Sequence, residues 1–127
     1  MRKDSTRDYI TTAFKLYAAL DKPDRTKIEQ SQFDNAVKQD LTAVYQTMDL
    51  LYSSGKSDIC NAVEAVYFFN PTKDFKRNEI SNRVLAYAHE HFTSDSIVWK
   101  WLKEARTICA IYRGLNTSDI SKIINQD

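Results

Sequence analysis

Glycine and proline are nearly missing from this chain: two of each occur in 127 residues. Sheets built from many short strands need frequent tight turns, and turns draw on those two residues, so their scarcity argues against an all-β fold and for a few long helices. Two glycines also cannot build a phosphate-cradling loop. The two cysteines, Cys60 and Cys109, have neither metal-type spacing nor a histidine beside them in sequence, and each falls in an apolar helical pattern, which reads as a buried structural thiol. Histidine is equally scarce. His89 and His91 point about 200° apart on a helix, so they cannot share a metal from one face, and no metal or cofactor is expected. The acids are scattered and make no catalytic pair; Asp4 and Asp8 read as helix-start charges, and no enzymatic activity is expected. No apolar run approaches the ~20 residues of a membrane span, and the first residues lack a signal-peptide core. A cytosolic protein with reduced thiols and no membrane partner is the expectation.

Charge of one sign is also lacking. The formal net charge is +1, from 18 basic and 17 acidic residues. The distribution is uneven, however. Residues 73–113 carry eight basic and five acidic side chains, whereas residues 1–72 carry nine and ten. The total gives no reason to expect nucleic acid, membrane or an acidic substrate, but the modest excess points at the C-terminal part.

What the chain does have is helical periodicity. Ile10, Ala13, Phe14, Tyr17 and Leu20 line one face of a helix predicted from Ser5, its cap, to Leu20, where Asp21-Lys22-Pro23-Asp24 stops it. Phe33, Val37, Leu41, Val44, Met48 and Leu51 form a heptad-like stripe on a helix predicted over 29–52, closed at Gly55. The stripe suits either the domain's own core or a homodimer seam. A third helix, 57–69, is apolar on Ile59, Val63, Val66 and Tyr67, with Ala62, Ala65 and Phe68 widening that side, and should be central. A fourth, 78–91, has Ile80, Val84, Leu85 and Ala88. The fifth, from Asp95 to Arg113, has the cleanest period: Val98, Trp101, Leu102, Ala105, Ile108, Cys109 and Tyr112. Gly114 closes it. A short helix over 118–124 completes the pattern. The predicted fold is all-α, one domain over 1–127. It is a bundle of about five helices, divided into an N-terminal helical pair (1–55), a helix-turn-helix-like part (56–115) and a tail (116–127).

The fourth and fifth helices, joined by a short polar turn, match the outline of a helix-turn-helix, in which the second helix enters the major groove of double-stranded DNA. Thr93, Ser94 and Ser96 stand at its N-terminus, where backbone N–H groups favour phosphate. Trp99, Lys100, Lys103 and Arg106 lie opposite the apolar stripe as candidates for bases and backbone. Arg77 and Arg83, with Lys73 and Lys76, are placed to meet flanking phosphates.

The run Ser94-Asp95-Ser96-Ile97-Val98-Trp99-Lys100-Trp101-Leu102-Lys103-Glu104-Ala105-Arg106 resembles the recognition-helix region of small phage and prophage regulators of the ArpU and RinA type, whose C-terminal parts resemble region four of sigma factors. Val63-Glu64-Ala65-Val66-Tyr67-Phe68 and Tyr112-Arg113-Gly114-Leu115 extend the similarity over roughly residues 60–115. It implies DNA binding that regulates late phage genes, without catalysis. RNA polymerase and a second copy of the chain are further candidate partners. A packaging adaptor or a helical oligomerisation module is the alternative.

Overall fold

Two aspartates decide the chain path after the first helix. In the computed structural model, which describes residues 5–70 and 78–115, α1 (Ser5–Ala19) ends where Asp21 and Lys22 take left-handed backbone angles. Asp24 then accepts from the Lys27 N–H at 2.8 Å and caps the short α2 (Arg25–Gln30). Ser31 returns to extended backbone, and Asp34 accepts from the Val37 N–H at 3.0 Å to open α3 (Asn35–Ser53). The single helix expected over 29–52 is thus two. An aspartate side chain that satisfies an orphan N–H starts a new helix more favourably than it continues an old one. Phe33 falls in the break and is exposed, so it leaves the expected stripe, and buried Ile28 of α2 joins the core instead.

The rest of the stripe faces the core. Leu41, Val44 and Leu51 are buried, and Val37 and Met48 pack against them. The stripe is therefore occupied by the domain itself, which corrects its reading as a dimer seam. Gly55, at φ 78°, closes α3 with the Lys56 N–H donating to the Leu51 carbonyl at 2.9 Å.

The expected third helix is α4 (Ser57–Val63) continued by a π-helical segment, Glu64–Phe68. The wider winding turns Val66 and Tyr67 fully inward. Phe14 stacks on Tyr67 at 5.4 Å between ring centres, and Tyr17 meets Phe68 at 5.7 Å. α5 (Glu79–Glu90) buries Val84, Tyr87 and Ala88, but Leu85, expected in its stripe, is exposed. α6 (Asp95–Arg113) has the predicted bounds and packs against α1, α3, α4 and α5. Its Val98, Leu102, Ala105, Cys109 and Ala110 are buried, each large apolar side chain contributing roughly 1.5–3 kcal/mol. Tyr112, expected to share that stripe, is instead exposed.

At the far end of α6, Arg113 donates from Nε to Asp40 of α3, and the Tyr9 hydroxyl of α1 donates to the same carboxylate oxygen at 2.6 Å. Three helices are tied at one acid. Among the described residues no helix is long and apolar enough to cross a membrane. The short helix expected over 118–124, the Ser5 side chain, and Lys73, Lys76 and Arg77 lie outside the described residues.

Candidate nucleic-acid interface

The turn between α5 and α6 is made by backbone. The His91 N–H donates to the Tyr87 carbonyl and the Thr93 N–H to the Ala88 carbonyl, both at 3.0 Å, which closes α5. Phe92, between them, has φ 55° and is 98% exposed, so it does not pin the turn from inside. Ser94 takes extended angles and its Oγ accepts from the Ile97 N–H at 3.2 Å, the N-cap of α6. Ser94 and Ser96 are exposed, and Thr93 is half-buried.

The next turns of α6 carry Lys100, exposed, and Trp99 and Lys103, both half-buried. Trp99 packs one side on the core and offers a ring face to Arg7 of α1, whose guanidinium carbon lies 5.8 Å from the ring centre. Ser96, Trp99 and Lys103 follow at three and four residues, with Lys100 beside them, so the first half of α6 presents a polar, aromatic and basic flank that α1 extends. Arg7 could not be foreseen from the chain alone, because nothing local places it near Trp99.

Two of the expected DNA-contacting arginines are not on this surface. Arg106 is 3% exposed, and its Nη1 donates to the Tyr67 hydroxyl at 2.9 Å. The flank that is open at Lys100 has turned inward by Arg106, because α6 runs into the bundle and the π-helical segment sets Tyr67 against it. Arg83 is held equally firmly. Its Nε donates to Glu79 at 2.8 Å, and Nη1 donates to the carbonyls of Val66, at 3.0 Å, and Phe69. It closes the last turn of the π-helical segment, where backbone carbonyls lack helical partners. The Glu79–Arg83 spacing of four was a legible signal for that pairing. Arg77 lies outside the described residues.

The acids near the turn set a limit on its field. Glu90 and Asp95 are exposed beside it, and Asp95 sits in the first turn of α6. Farther along, Glu104 is bound by Lys56 at 2.7 Å. The positive part of the surface is thus Arg7, Lys100 and Lys103, one step along the helix from the cap.

No protein-family model, curated protein or solved structure matches this chain.

Proposed function

We propose that the protein binds double-stranded DNA through the α5–α6 unit and acts as a regulator of transcription, the late-phage role being what the resemblance of residues 60–115 implies. The observation that carries this reading is the Ser94-capped start of α6, followed on one flank by Ser96, Trp99, Lys100 and Lys103 and widened by Arg7 of α1. A capped helix N-terminus directs N–H groups at phosphate, while the lysines supply the charge that dominates affinity. Thr93 stands behind the cap, and Arg83 and Arg106 serve the scaffold.

The test is fluorescence anisotropy of a labelled mixed-sequence duplex titrated with protein over a salt series. Binding is expected to weaken steeply with salt, by about 0.9 log units per phosphate contact for each tenfold rise. Lys100→Glu with Lys103→Glu is expected to weaken it about tenfold or more, with a shallower salt slope. Affinity unchanged by that pair of substitutions removes α6 from the function.

A second reading, a protein-contact surface at the same tip, is favoured by one observation. Phe92, in the turn, and Leu85, on α5, are 98% and 55% exposed. In that case Phe92→Ser abolishes partner capture while the lysine substitutions leave it intact.

A further inference from the structure

A cleft of about 690 Å³ opens between the π-helical segment and α5, within the roughly 300–1,000 Å³ of small-ligand sites. Its walls are largely ring surface, Phe68 and Phe69 on one side and Tyr87 and His91 on the other. Tyr87 and His91 stack at 3.9 Å between ring centres, and the His91 Nδ1 donates to the Tyr87 carbonyl at 2.9 Å, which fixes the histidine ring. Two carboxylates line the same cleft, Glu64 from the π-helical segment and Glu90 from α5. Neither has an ion pair or hydrogen bond among the described residues. Arg83 is already engaged by Glu79 and by the carbonyls of Val66 and Phe69, so Lys22 is the one counter-charge left among the lining residues.

Tyr87 is an independent pointer to a ligand. It is 6% exposed, yet its hydroxyl makes no hydrogen bond among the described residues, where a buried phenol ordinarily finds a partner. Among those residues the Arg106 Nε is the one fully enclosed side-chain polar atom without a partner, so the Tyr87 hydroxyl is not sealed and opens to the cleft its ring lines. Burial raises this hydroxyl above its ordinary 10, and the charges of Asp58 and Glu64 raise it further, which marks the potential there as negative.

We infer that the cleft binds a small primary amine carrying a ring-sized apolar body. An ammonium group presents three N–H donors and no acceptor. The cleft offers three acceptors, the carboxylates of Glu64 and Glu90 and the Tyr87 hydroxyl oxygen, and none is engaged by a hydrogen bond among the described residues. Phe68, Phe69 and His91 supply apolar surface for the body, and aromatic faces also attract a cation. An anion is repelled by the two carboxylates. A neutral apolar ligand would strip water from both acids without compensation. A metal ion is not matched either, because no three His, Cys, Asp or Glu among the described residues are grouped to hold one. The cleft shares no residue with the α6 surface proposed for DNA, so either function can fail without the other.

The test titrates phenethylamine into the ¹⁵N-labelled full chain and follows the backbone amides of Glu64, Ala65, Tyr87 and His91. Saturable shifts are expected there at millimolar probe. Phenethyl alcohol and phenylacetate, which carry the same ring with no charge or the opposite charge, are expected to leave those amides unmoved. Ethylamine, without the ring, is expected to bind more weakly. Glu64→Gln with Glu90→Gln is expected to weaken the amine about tenfold, and both side chains are exposed, so the change spares the core. Tyr87→Phe keeps the ring and is expected to weaken it a few-fold. The proposal is overturned if phenethylamine gives no saturable shift, if phenylacetate or phenethyl alcohol reproduces its shifts, or if ethylamine binds as tightly. Affinity that ignores both variants also overturns it. So does magnesium chloride moving these amides where the amine does not, which indicates a metal site.

Discussion

The Arg106 guanidinium is buried 2.9 Å from the Tyr67 hydroxyl, with no carboxylate bound to it among the described residues and with Nε lacking any hydrogen-bond partner. A buried charge held by one neutral hydroxyl recovers little of its desolvation cost, so the pair serves the geometry of α6 against the π-helical segment more than net stability.

Arg106→Met is therefore expected to be neutral or stabilising, because it keeps the volume and removes the unpaired group. Tyr67→Phe in the unaltered background leaves the guanidinium without its partner and is expected to cost about 1–3 kcal/mol. In the Arg106→Met background the same change should cost much less. Urea unfolding of the four proteins in a double-mutant cycle checks this, and DNA affinity should be the same for Arg106→Met as for the unaltered chain.

Phe92 combines a left-handed backbone angle, φ 55°, with 98% exposure. A bulky L-residue in that region costs roughly 1–2 kcal/mol and gains nothing from burial here. Phe92→Gly is expected to raise stability by up to about 1 kcal/mol, with the extra freedom of glycine in the unfolded chain offsetting part of the gain. Thermal unfolding reads the effect. If Phe92 touches a partner, the same variant gains stability and loses that partner.

Alkaline pH is expected to destabilise the fold. Burial pushes the Cys109 thiol up to about 12 from an ordinary 9, and burial pushes the Tyr17 hydroxyl up to about 12 from 10. Tyr9 is raised as well, first by its hydrogen bond to Asp40. In each case the folded state holds its proton more tightly than the unfolded one. The stability this provides is complete below the unfolded value and is lost as pH rises towards the folded value. The free energy of unfolding should thus begin to fall near pH 9 and fall more steeply from pH 10. Tyr17 alone withdraws on the order of 2 kcal/mol by pH 12. Tyr17→Phe should flatten the upper part of the profile in urea titrations at stepped pH.

Asp95, exposed in the first turn of α6, has two opposed effects. Its charge favours the helix through the macrodipole and opposes phosphate at the same N-terminus. Asp95→Asn is expected to tighten duplex binding a few-fold, most at low salt, while slightly lowering the melting temperature. Anisotropy and calorimetry on one preparation separate the two; no change in affinity would place the DNA away from the α6 start.

Much of the scaffold was legible because local rules act within one or two turns. The 3.6-residue period of Val98, Leu102, Ala105 and Cys109, the Ser94 cap and Gly114 define α6, and none of these requires a neighbour. The same reading missed the break at Ser31–Asp34. The apolar spacing ran through it, whereas the decisive event was the Asp34 cap, a competition between two local signals.

By itself, the sequence determined an all-helical protein, the bounds of α6 and the faces that must seek a core, because periodicity and capping are properties of a segment. Only the tertiary structure decided which polar side chains reach the surface. Arg106 shares a helix face with Trp99 and Lys103, yet it is buried on Tyr67, while Arg7, far away in the chain, lies over Trp99. Exposure depends on how a long helix crosses its neighbours, and no helical period carries that information.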